Sequence, residues 1–421
     1  MNMKKQQPSS ASGHVLAVVV SIIAIVTLMA LSLLSMGLNS RTMAIRTTEK
    51  IKARCAADAG LTKALFEMNE KLKVKPWDDS TLPYAVDESL PNFDAVFSYK
   101  TASIASYKFS GGTSFKIAGS GSNNYIIESI GKAGPAVKRV YVNIGLQGLF
   151  EHAILTKEST VLKSDTLVDG YNSKDPTETD VELKIGTLST SLDQIILNSG
   201  VKVDGDVVVG VDGDVNTVVK DLGAATGSRY SMTEEPSMPD VSTPVLPEMG
   251  MDITVAGGTL SIGPADSGKY TGIDVMKKGI LEISGGEVAL HITGDIELDQ
   301  DCELIVKKGT SVKIYMEGNV VCRNNSSISN EGFPDPELLQ LFAVGAGEVT
   351  FDLKAKSDWC GVVYAPHAQI VLNAKGNCYG AVIGKAFEYK SGGNFYYDVA
   401  LRDVEADDDN VRFVVKRWLE R

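Results

Sequence analysis

Carboxylates alternate with other residues along one stretch of this 421-residue sequence. They are Asp295, Glu297, Asp299, Asp301 and Glu303. Two such groups on one face could act as general acid and base on a glycan, as in β-helical polysaccharide lyases and hydrolases. The same alternation is the pattern of the solvent-facing positions of a half-buried strand. We favour the strand interpretation, so the sequence predicts no catalytic site and a non-enzymatic protein.

A second acidic set could supply oxygen ligands for calcium. Asp204, Asp206, Asp212 and Asp214 recur in two copies of Val-Asp-Gly-Asp-Val. No complete ligand loop is present, and Asp-Gly is also a favoured turn. The four histidines, His14, His152, His291 and His367, are scattered, and no His/Cys spacing suits zinc. We predict neither a metal nor a cofactor, and no phosphate loop, nucleophile elbow or dinucleotide fingerprint occurs.

Two of the five cysteines could form a bridge. Cys360 and Cys378 lie in neighbouring repeats, and strands about 4.8 Å apart suit the Cα separation of a disulfide. Their spacing is one residue short of the repeat, however, and a one-residue offset turns side chains to opposite faces of a sheet. A disulfide and two buried free thiols both stay open for this pair.

The elements that position these side chains show an internal repeat. The segments "GVVYA" from Gly361 and "GAVIG" from Gly380 coincide at a shift of about 19 residues, which also places Gln369 on Glu388. Residues 288–304 and 312–328 coincide at a shift of about 24. That second shift aligns Val288 with Val312, His291 with Tyr315 and Leu304 with Ile328. Because one strand-turn-strand unit buries too little apolar surface alone, the repeats predict a mainly β protein with a β-solenoid, that is, a parallel β-helix.

The N-terminal region predicts a membrane-spanning helix. Residues 15–38 carry no charge, and at about 1.5 Å per residue they reach roughly 36 Å, enough for a hydrocarbon core of about 30 Å. Beyond Asn39 an apolar stripe continues at helical spacing to Pro76, so one long helix is expected, half of it outside lipid. The Lys/Arg residues that follow the span, read alone, would put the bulk of the chain in the cytoplasm.

The N-terminal region contains a short polar leader ending in Gly13, the apolar helix, and the segment "KIKARCAADAGLTKALFEMNEKL" (50–72). On these features it resembles the N-terminal region of PilX-type minor pilins and related type IV pilus or type II secretion pseudopilins. The resemblance implies cleavage after Gly13 by a prepilin peptidase, which leaves His14 as the first mature residue. It also implies helix packing beside other subunits or an assembly platform, for which Ala56, Ala59, Gly60 and Ala64 form the close-packing face.

One position departs from the pilin pattern, and it bears on filament entry. Pilins usually have Glu at the fifth mature position, which here is Val18. The change is similar to what tip or initiating minor pilins show, or it keeps the chain out of a filament. The resemblance further implies a cytoplasmic leader, a single pass and a body in the periplasm or at the cell surface, because long downstream domains translocate regardless of charge.

The C-terminal half resembles a bacterial extracytoplasmic β-solenoid domain of unknown function, and more loosely the bactofilin-type polymer-forming repeat. The motifs are "LVDGYNSKD" (167–175), "VKVDGDVVVGVDGD" (201–214), "IYMEGNVV" (314–321) and residues 361–401. Neither resemblance implies an enzymatic activity.

The remaining segments complete the predicted organisation. Strand-like runs at 95–104, 114–121, 124–132 and 137–146 predict a small antiparallel sheet. Prolines crowd 231–252, which we interpret as an extended linker. The predicted regions are a leader (1–13), the helix (14–75), the small sheet (76–149), a first solenoid block (150–230), the linker (231–252), the main solenoid (253–401) and a tail (402–421) that caps the last turn or docks on the sheet.

Composition removes one class of partner. The formal net charge is −12, and no basic face of the kind that binds phosphate backbones is found in the sequence, so nucleic acid is not expected as a partner. The favoured function is a membrane-anchored extracytoplasmic structural protein in pilus assembly or surface display. The alternatives are a membrane-tethered β-helix that binds or cleaves carbohydrate, and a cytoplasmic bactofilin-like scaffold on the membrane.

Overall fold

The protein divides into two compact units. Residues 1–146 and 413–421 form the first unit, and residues 147–412 form the second. The computed structural model describes residues 12–104, 124–178, 181–236, 238–345, 347–408 and 411–420. Most of the predicted leader and the predicted strand at 114–121 therefore lie outside the described residues.

The elements are numbered in chain order. The first part contains α1 (Ser12–Leu72), β1 (Tyr84–Ser89), β2 (Val96–Ser103), β3 (Asn124–Ala133), β4 (Ala136–Gln147), β5 (Ile154–Thr156), β6 (Thr160–Leu162), β7 (Leu167–Tyr171), β8 (Lys184–Thr187), β9 (Ile195–Leu197), β10 (Lys202–Val203), β11 (Asp206–Val209), α2 (Val215–Val218), β12 (Val219–Asp221), β13 (Ala225–Thr226) and β14 (Arg229–Ser231). The second part contains β15 (Ile253–Ala256), β16 (Thr259–Ile262), β17 (Gly268–Tyr270), β18 (Ile273–Met276), β19 (Ile280–Ile283), β20 (Glu287–Ile292), β21 (Ile296–Leu298), β22 (Glu303–Val306), β23 (Ser311–Met316), β24 (Val320–Cys322), β25 (Ser327–Asn330), β26 (Leu339–Ala343), β27 (Val349–Ala355), β28 (Trp359–Ala374), β29 (Cys378–Tyr389), β30 (Phe395–Asp398) and β31 (Arg412–Glu420). Three 3₁₀ turns lie at Pro264–Asp266, Pro336–Leu338 and Val399–Arg402.

The first unit is the long helix α1 with a five-stranded sheet in the order β1-β2-β3-β4-β31. The pairs β1–β2, β2–β3 and β3–β4 are antiparallel. The tight turn between β3 and β4 needs a left-handed residue, which Gly134 supplies at φ +52°. Since β31 is the last strand of the chain and the fifth of this sheet, the entire second unit is inserted, in sequence, between β4 and β31.

The second unit is a β-solenoid of about 9 turns, as the repeats predict. Its parallel strands stack apolar side chains into continuous inward columns. One column consists of Ile253, Ile273, Ile296, Val320, Phe351, Ile370, Phe387, Thr160, Ile195 and Val219, all of them buried. This stacking gives every short strand between the two ends two hydrogen-bonding neighbours and a share of one core.

The turns do not stack in chain order. The C-terminal strands β29 and β30 pair in parallel with β5, β6 and β7, so Phe387 lies beside Thr160 and Phe395 beside Val168. The chain therefore enters the solenoid partway along the stack and winds to one end at Ser231. It then restarts at the opposite end, at Ile253, and winds back to the entry point.

Residues 232–250, here called the strap, join the two ends along the outside of the stack. Met232 donates its backbone N–H to the Val209 carbonyl, the Tyr364 hydroxyl donates to the Pro239 carbonyl at 2.8 Å, and Lys269 donates its backbone N–H to Pro247. An outward apolar row that includes Tyr315, Phe342, Tyr364, Ile383, Leu155 and Val208 is at most 4% exposed, and the strap contacts this row at Tyr364. This segment is thus extended and packed, which its prolines permit.

The predicted repeat registers are confirmed with one exception. Val288 pairs with Val312, Leu304 with Ile328, and Gly361 with Gly380. The predicted pairing of Gln369 with Glu388 is wrong, because the register shifts between Ala365 and Gln369 and Gln369 pairs with Ala386. The irregularity shortens the second half of that repeat by two residues, which a constant shift cannot represent.

A polar cap closes the solenoid at the end formed by β12, β13 and β14. Three of its inward positions are Asp221, Thr226 and Arg229, one from each of these strands. The Arg229 guanidinium donates to Asp221 at 2.7 Å and to the Thr226 hydroxyl at 2.8 Å. The residues one turn below are the buried apolar Leu197, Val203 and Val207. A charged end of this kind resists strand addition by another solenoid.

We expect the double substitution of Asp221→Leu and Arg229→Val to cause self-association. It would extend the apolar columns to the end surface, and an open strand edge with an apolar core recruits further strands. Sedimentation velocity of the detergent-solubilised chain would measure it. Lys220→Ala is the matched control, because Lys220 pairs with Asp193 at the same end but on the outside. If the double variant sediments as the unaltered chain does, the cap does not block stacking.

Candidate functional site on the N-terminal helix

The first half of α1 is a candidate membrane anchor. Residues 16–48 are exposed throughout, and the span has a mean hydropathy of 2.8 in its most apolar window, with none of that window buried. Two of its hydroxyl groups are satisfied within the helix, since Ser21 donates to the Ala17 carbonyl at 2.9 Å and Thr27 to the Ile23 carbonyl at 2.7 Å. Lipid requires this, because it offers no hydrogen-bonding partner.

The second half of α1 lies against its own sheet at very short range. A Cβ on Gly131 of β3 would lie 2.0 Å from the Ala53 carbonyl oxygen and 2.4 Å from the Ala57 nitrogen. A Cβ on Gly60 would lie 2.5 Å from the Ser129 hydroxyl. That hydroxyl donates to the Ala57 carbonyl at 2.7 Å. Small residues on both elements therefore let helix and strand backbones meet directly.

The residues predicted to pack against other subunits are mostly used within the chain. Ala56, Gly60 and Ala64 are buried, and only Ala59 keeps partial exposure. The prediction is corrected for the three buried residues, because the chain's own sheet is the close neighbour that their small size serves. A sequence pattern of small residues predicts a close approach without identifying what approaches.

An uncharged stripe runs along the opposite face of α1. It consists of Gly37, Ser40, Ala44, Thr48, Ile51, Cys55, Ala59, Thr62 and Phe66. All are exposed except Ala59, which is partly so. The spacing of three, four and four residues repeats every 11, or about 3.67 per turn, so the stripe stays nearly straight on an α-helix. In the sequence this stripe is visible as a row of positions without charge, whereas a pattern of small residues does not reveal it.

Charged groups border the stripe and tie α1 to the sheet. Arg54 and Asp58 pair at 3.0 Å along the helix. Lys63 bonds to Glu88 of β1, and that hydrogen bond raises the pKa of the lysine. The Tyr99 hydroxyl donates to Glu67 at 2.6 Å, and burial raises the pKa of Tyr99. The outer half of the helix is thus held in one orientation, with the stripe facing away from the sheet.

The predicted processing residues lie at the start of the described chain. Gly13 is in the first turn of α1, and the side chain of His14 lies outside the described residues. Val18 is 57% exposed within the apolar half of the helix.

Of the two alternatives left open for Cys360 and Cys378, the structure shows two free thiols and no disulfide. Cys378 pairs in register with Trp359, and Cys360 with Tyr379, so the two thiols point to opposite faces of the sheet. Both are buried free cysteines. Burial raises the pKa of Cys378 to about 11 and also raises the pKa of Cys360. Cys302 and Cys322 are buried as well, and among the five cysteines Cys55 is exposed.

The alternating carboxylates form exposed pairs and turn contacts. Glu297 and Asp299 both lie 3.0 Å from Arg323, and Glu303 bonds to Lys356 at 2.7 Å. Asp214 caps the short helix α2 by accepting from the Asn216 nitrogen, which lowers its pKa. Within the described ranges, no group of three or more His, Cys, Asp or Glu residues is arranged to hold a metal ion.

Comparison with known proteins gives a family match and several similar structures, of which two are given below. A family described as a domain of unknown function (DUF7305) matches residues 249–404. No curated protein matches the chain. The competence-associated pilin ComZ from Thermus thermophilus is 13% identical, over 89% of this chain and 98% of that one, with a TM-score of 0.24. An ice binding protein from an Antarctic bacterium of the Flavobacteriaceae is 13% identical, over 59% of this chain and 66% of that one, with a TM-score of 0.18. These values are too low for either likeness to bear on function.

We expect Gly131→Val to destabilise the first unit by about 1–3 kcal/mol, since its side chain meets helix backbone that cannot move aside. Thermal unfolding followed by far-UV circular dichroism would measure the change. Gly37→Ala is the control, because no atom lies within 4 Å of the added methyl group. Equal melting temperatures for the two variants would contradict the close contact.

Proposed function

We propose that the protein is a non-enzymatic, membrane-anchored extracytoplasmic structural protein that works in pilus assembly or surface display in the manner of a minor pilin. The observation that carries this proposal is the uncharged stripe. It continues from the apolar half of α1 into the half outside lipid, on the face that the chain's own sheet leaves open. A row of uncharged and mostly exposed residues that runs for about eight turns, with charged residues such as Arg41, Lys52 and Asp58 only at its borders, is suited to receive another helix.

The partners in this proposal are other pilin-like subunits or their assembly platform. One face of the outer helix is filled by Gly131, Ser129 and their neighbours, so a neighbouring helix approaches along the stripe. Because the stripe is nearly straight, the neighbour lies almost parallel to it, without the strong supercoil that a seven-residue repeat imposes. The solenoid then serves as the displayed body.

The orientation in this proposal places the N-terminus in the cytoplasm and the two units after Leu38 outside it. A prepilin peptidase removes residues 1–13, and His14 becomes the mature terminus. Because position 18 is valine, the helix lacks the carboxylate that pilins pair with a neighbour's terminal amine. This fits a subunit at the tip of a filament or at its initiation. The polar cap of Asp221, Thr226 and Arg229 favours this function over a bactofilin-like polymer, because it opposes end-to-end stacking of solenoids.

Oxidative cross-linking through the native Cys55 tests the proposed interface. Cys55 is exposed on the stripe, whereas the other four cysteines are buried. Mild oxidation of native membranes should give an adduct of higher mass that is lost in Cys55→Ala. In that background Ala59→Cys, also on the stripe, should restore an adduct.

The control for this experiment is Lys50→Cys in the same background, since Lys50 is exposed on the helix but off the stripe. Absence of an adduct both from the native Cys55 and from the Ala59→Cys variant would refute the interface. An adduct of equal yield from the Lys50→Cys variant would show random collision instead.

We further expect the mature chain to begin at His14 when the protein is made with a prepilin peptidase. Mass spectrometry of the intact chain would show the loss of residues 1–13, and Gly13→Leu should retain them because a bulky side chain replaces the residue at the cleaved bond. Retention of Met1 in the unaltered protein would count against the pilin-like assignment. External protease digestion of the solenoid in intact cells would separately test its sidedness.

A further inference from the structure

Four cations surround α1 directly after the apolar span, here called the basic collar. They are Arg41, Arg46, Lys50 and Lys52, and the one acidic residue among positions 39–52 is Glu49. Three of the four are exposed and Lys52 is partly exposed. Cations further along the helix are paired, Arg54 with Asp58 and Lys63 with Glu88. Among the described residues, no collar cation makes an ion pair, so their charge is left for something outside the chain.

The collar begins where lipid headgroups would be. At about 1.5 Å per residue along the helix, Arg41 lies roughly 5 Å beyond Leu38, Arg46 roughly 12 Å, Lys50 roughly 18 Å and Lys52 roughly 21 Å. The headgroup layer extends about 5–8 Å beyond the hydrocarbon core on each side. Long Lys and Arg side chains can reach back toward that layer from the next turns, and their charge acts over about 8 Å at physiological salt.

A cleft beside the collar offers a place for one headgroup. It has a volume of about 340 Å³ and lies between α1 and the turn joining β3 to β4. Its lining includes Arg41 and Lys52 from the collar and Thr48 between them. The backbone of Gly134, which cannot carry a bulky side chain at its positive φ, leaves the opposite wall open. The carboxylates of Glu49 and Asp94 also line the cleft, so a bound anion would be held at its Arg41 end, away from them.

We propose that the basic collar binds the headgroups of anionic phospholipids in the leaflet from which α1 emerges, with one headgroup phosphate held by Arg41 at the end of the cleft nearer the apolar span. Guanidinium and ammonium groups match phosphate oxygens in charge and hydrogen bonding. The binding requires that α1 spans a bilayer, but it does not require cleavage at Gly13 or assembly with other subunits. It is therefore independent of the helix interface tested through Cys55.

The test uses the full chain reconstituted in bilayers of phosphatidylcholine with a minority of phosphatidylglycerol. Native mass spectrometry after gentle release would count the lipids that stay bound. We expect phosphatidylglycerol to be enriched about fivefold or more over its share of the bilayer. The variant with Arg41→Gln, Arg46→Gln, Lys50→Gln and Lys52→Gln should lose that enrichment.

The control removes the same charge elsewhere. Lys163, Lys202, Lys277 and Lys308 are exposed lysines of the solenoid, and their joint replacement by Gln should leave the enrichment unchanged. Equal enrichment in the collar variant, or its loss in the control, would overturn the proposal. So would displacement of the lipid by millimolar inorganic phosphate, or an acidic protein held by the collar in place of lipid.

Discussion

The second unit depends on one seam, where the last strands of the solenoid meet the first. The pairing of β29 and β30 with β5, β6 and β7 makes a single stack from two blocks that are far apart in sequence. Phe387, Phe395, Ile154 and Val168 are fully buried there or nearly so. Without the seam, each block would expose an open strand edge and the end of an apolar core, which is the usual cause of aggregation in such architectures.

The strap and the polar cap protect parts of the solenoid that the seam does not. The seam closes the inner end of each block, and the Asp221, Thr226 and Arg229 cap closes the outer end of the first one. The strap packs on the outside of the stack at Tyr364, and it joins that capped end to the far end of the stack. Over about ten stacked positions at about 4.8 Å the ladder is roughly 43 Å long, and an extended segment of this length spans it.

The sequence allowed the local structure to be predicted and left the long-range order open. The repeat itself predicts the pairing of Val288 with Val312, and the composition of the apolar span predicts the N-terminal helix. The seam could not be predicted, because every turn has the same strand pattern and any two would stack in register. The same holds for Gly60, Ala64 and Gly131, whose small size indicates a close contact without naming the partner. The stripe around Cys55 is different, because the absence of charge along it can be seen in the sequence.

Because the solenoid is inserted between β4 and β31, the number of its turns can change without a change in the first unit. Both connections to the first unit leave the stack near the seam, so neither end of the solenoid carries the chain to the anchor. A turn could be gained or lost at the Ile253 end without altering β4, β31 or the seam. Such a change would require only that the strap become longer or shorter by about 4.8 Å, or roughly one to two residues. The length of the solenoid can therefore change without any change in the size of the first unit.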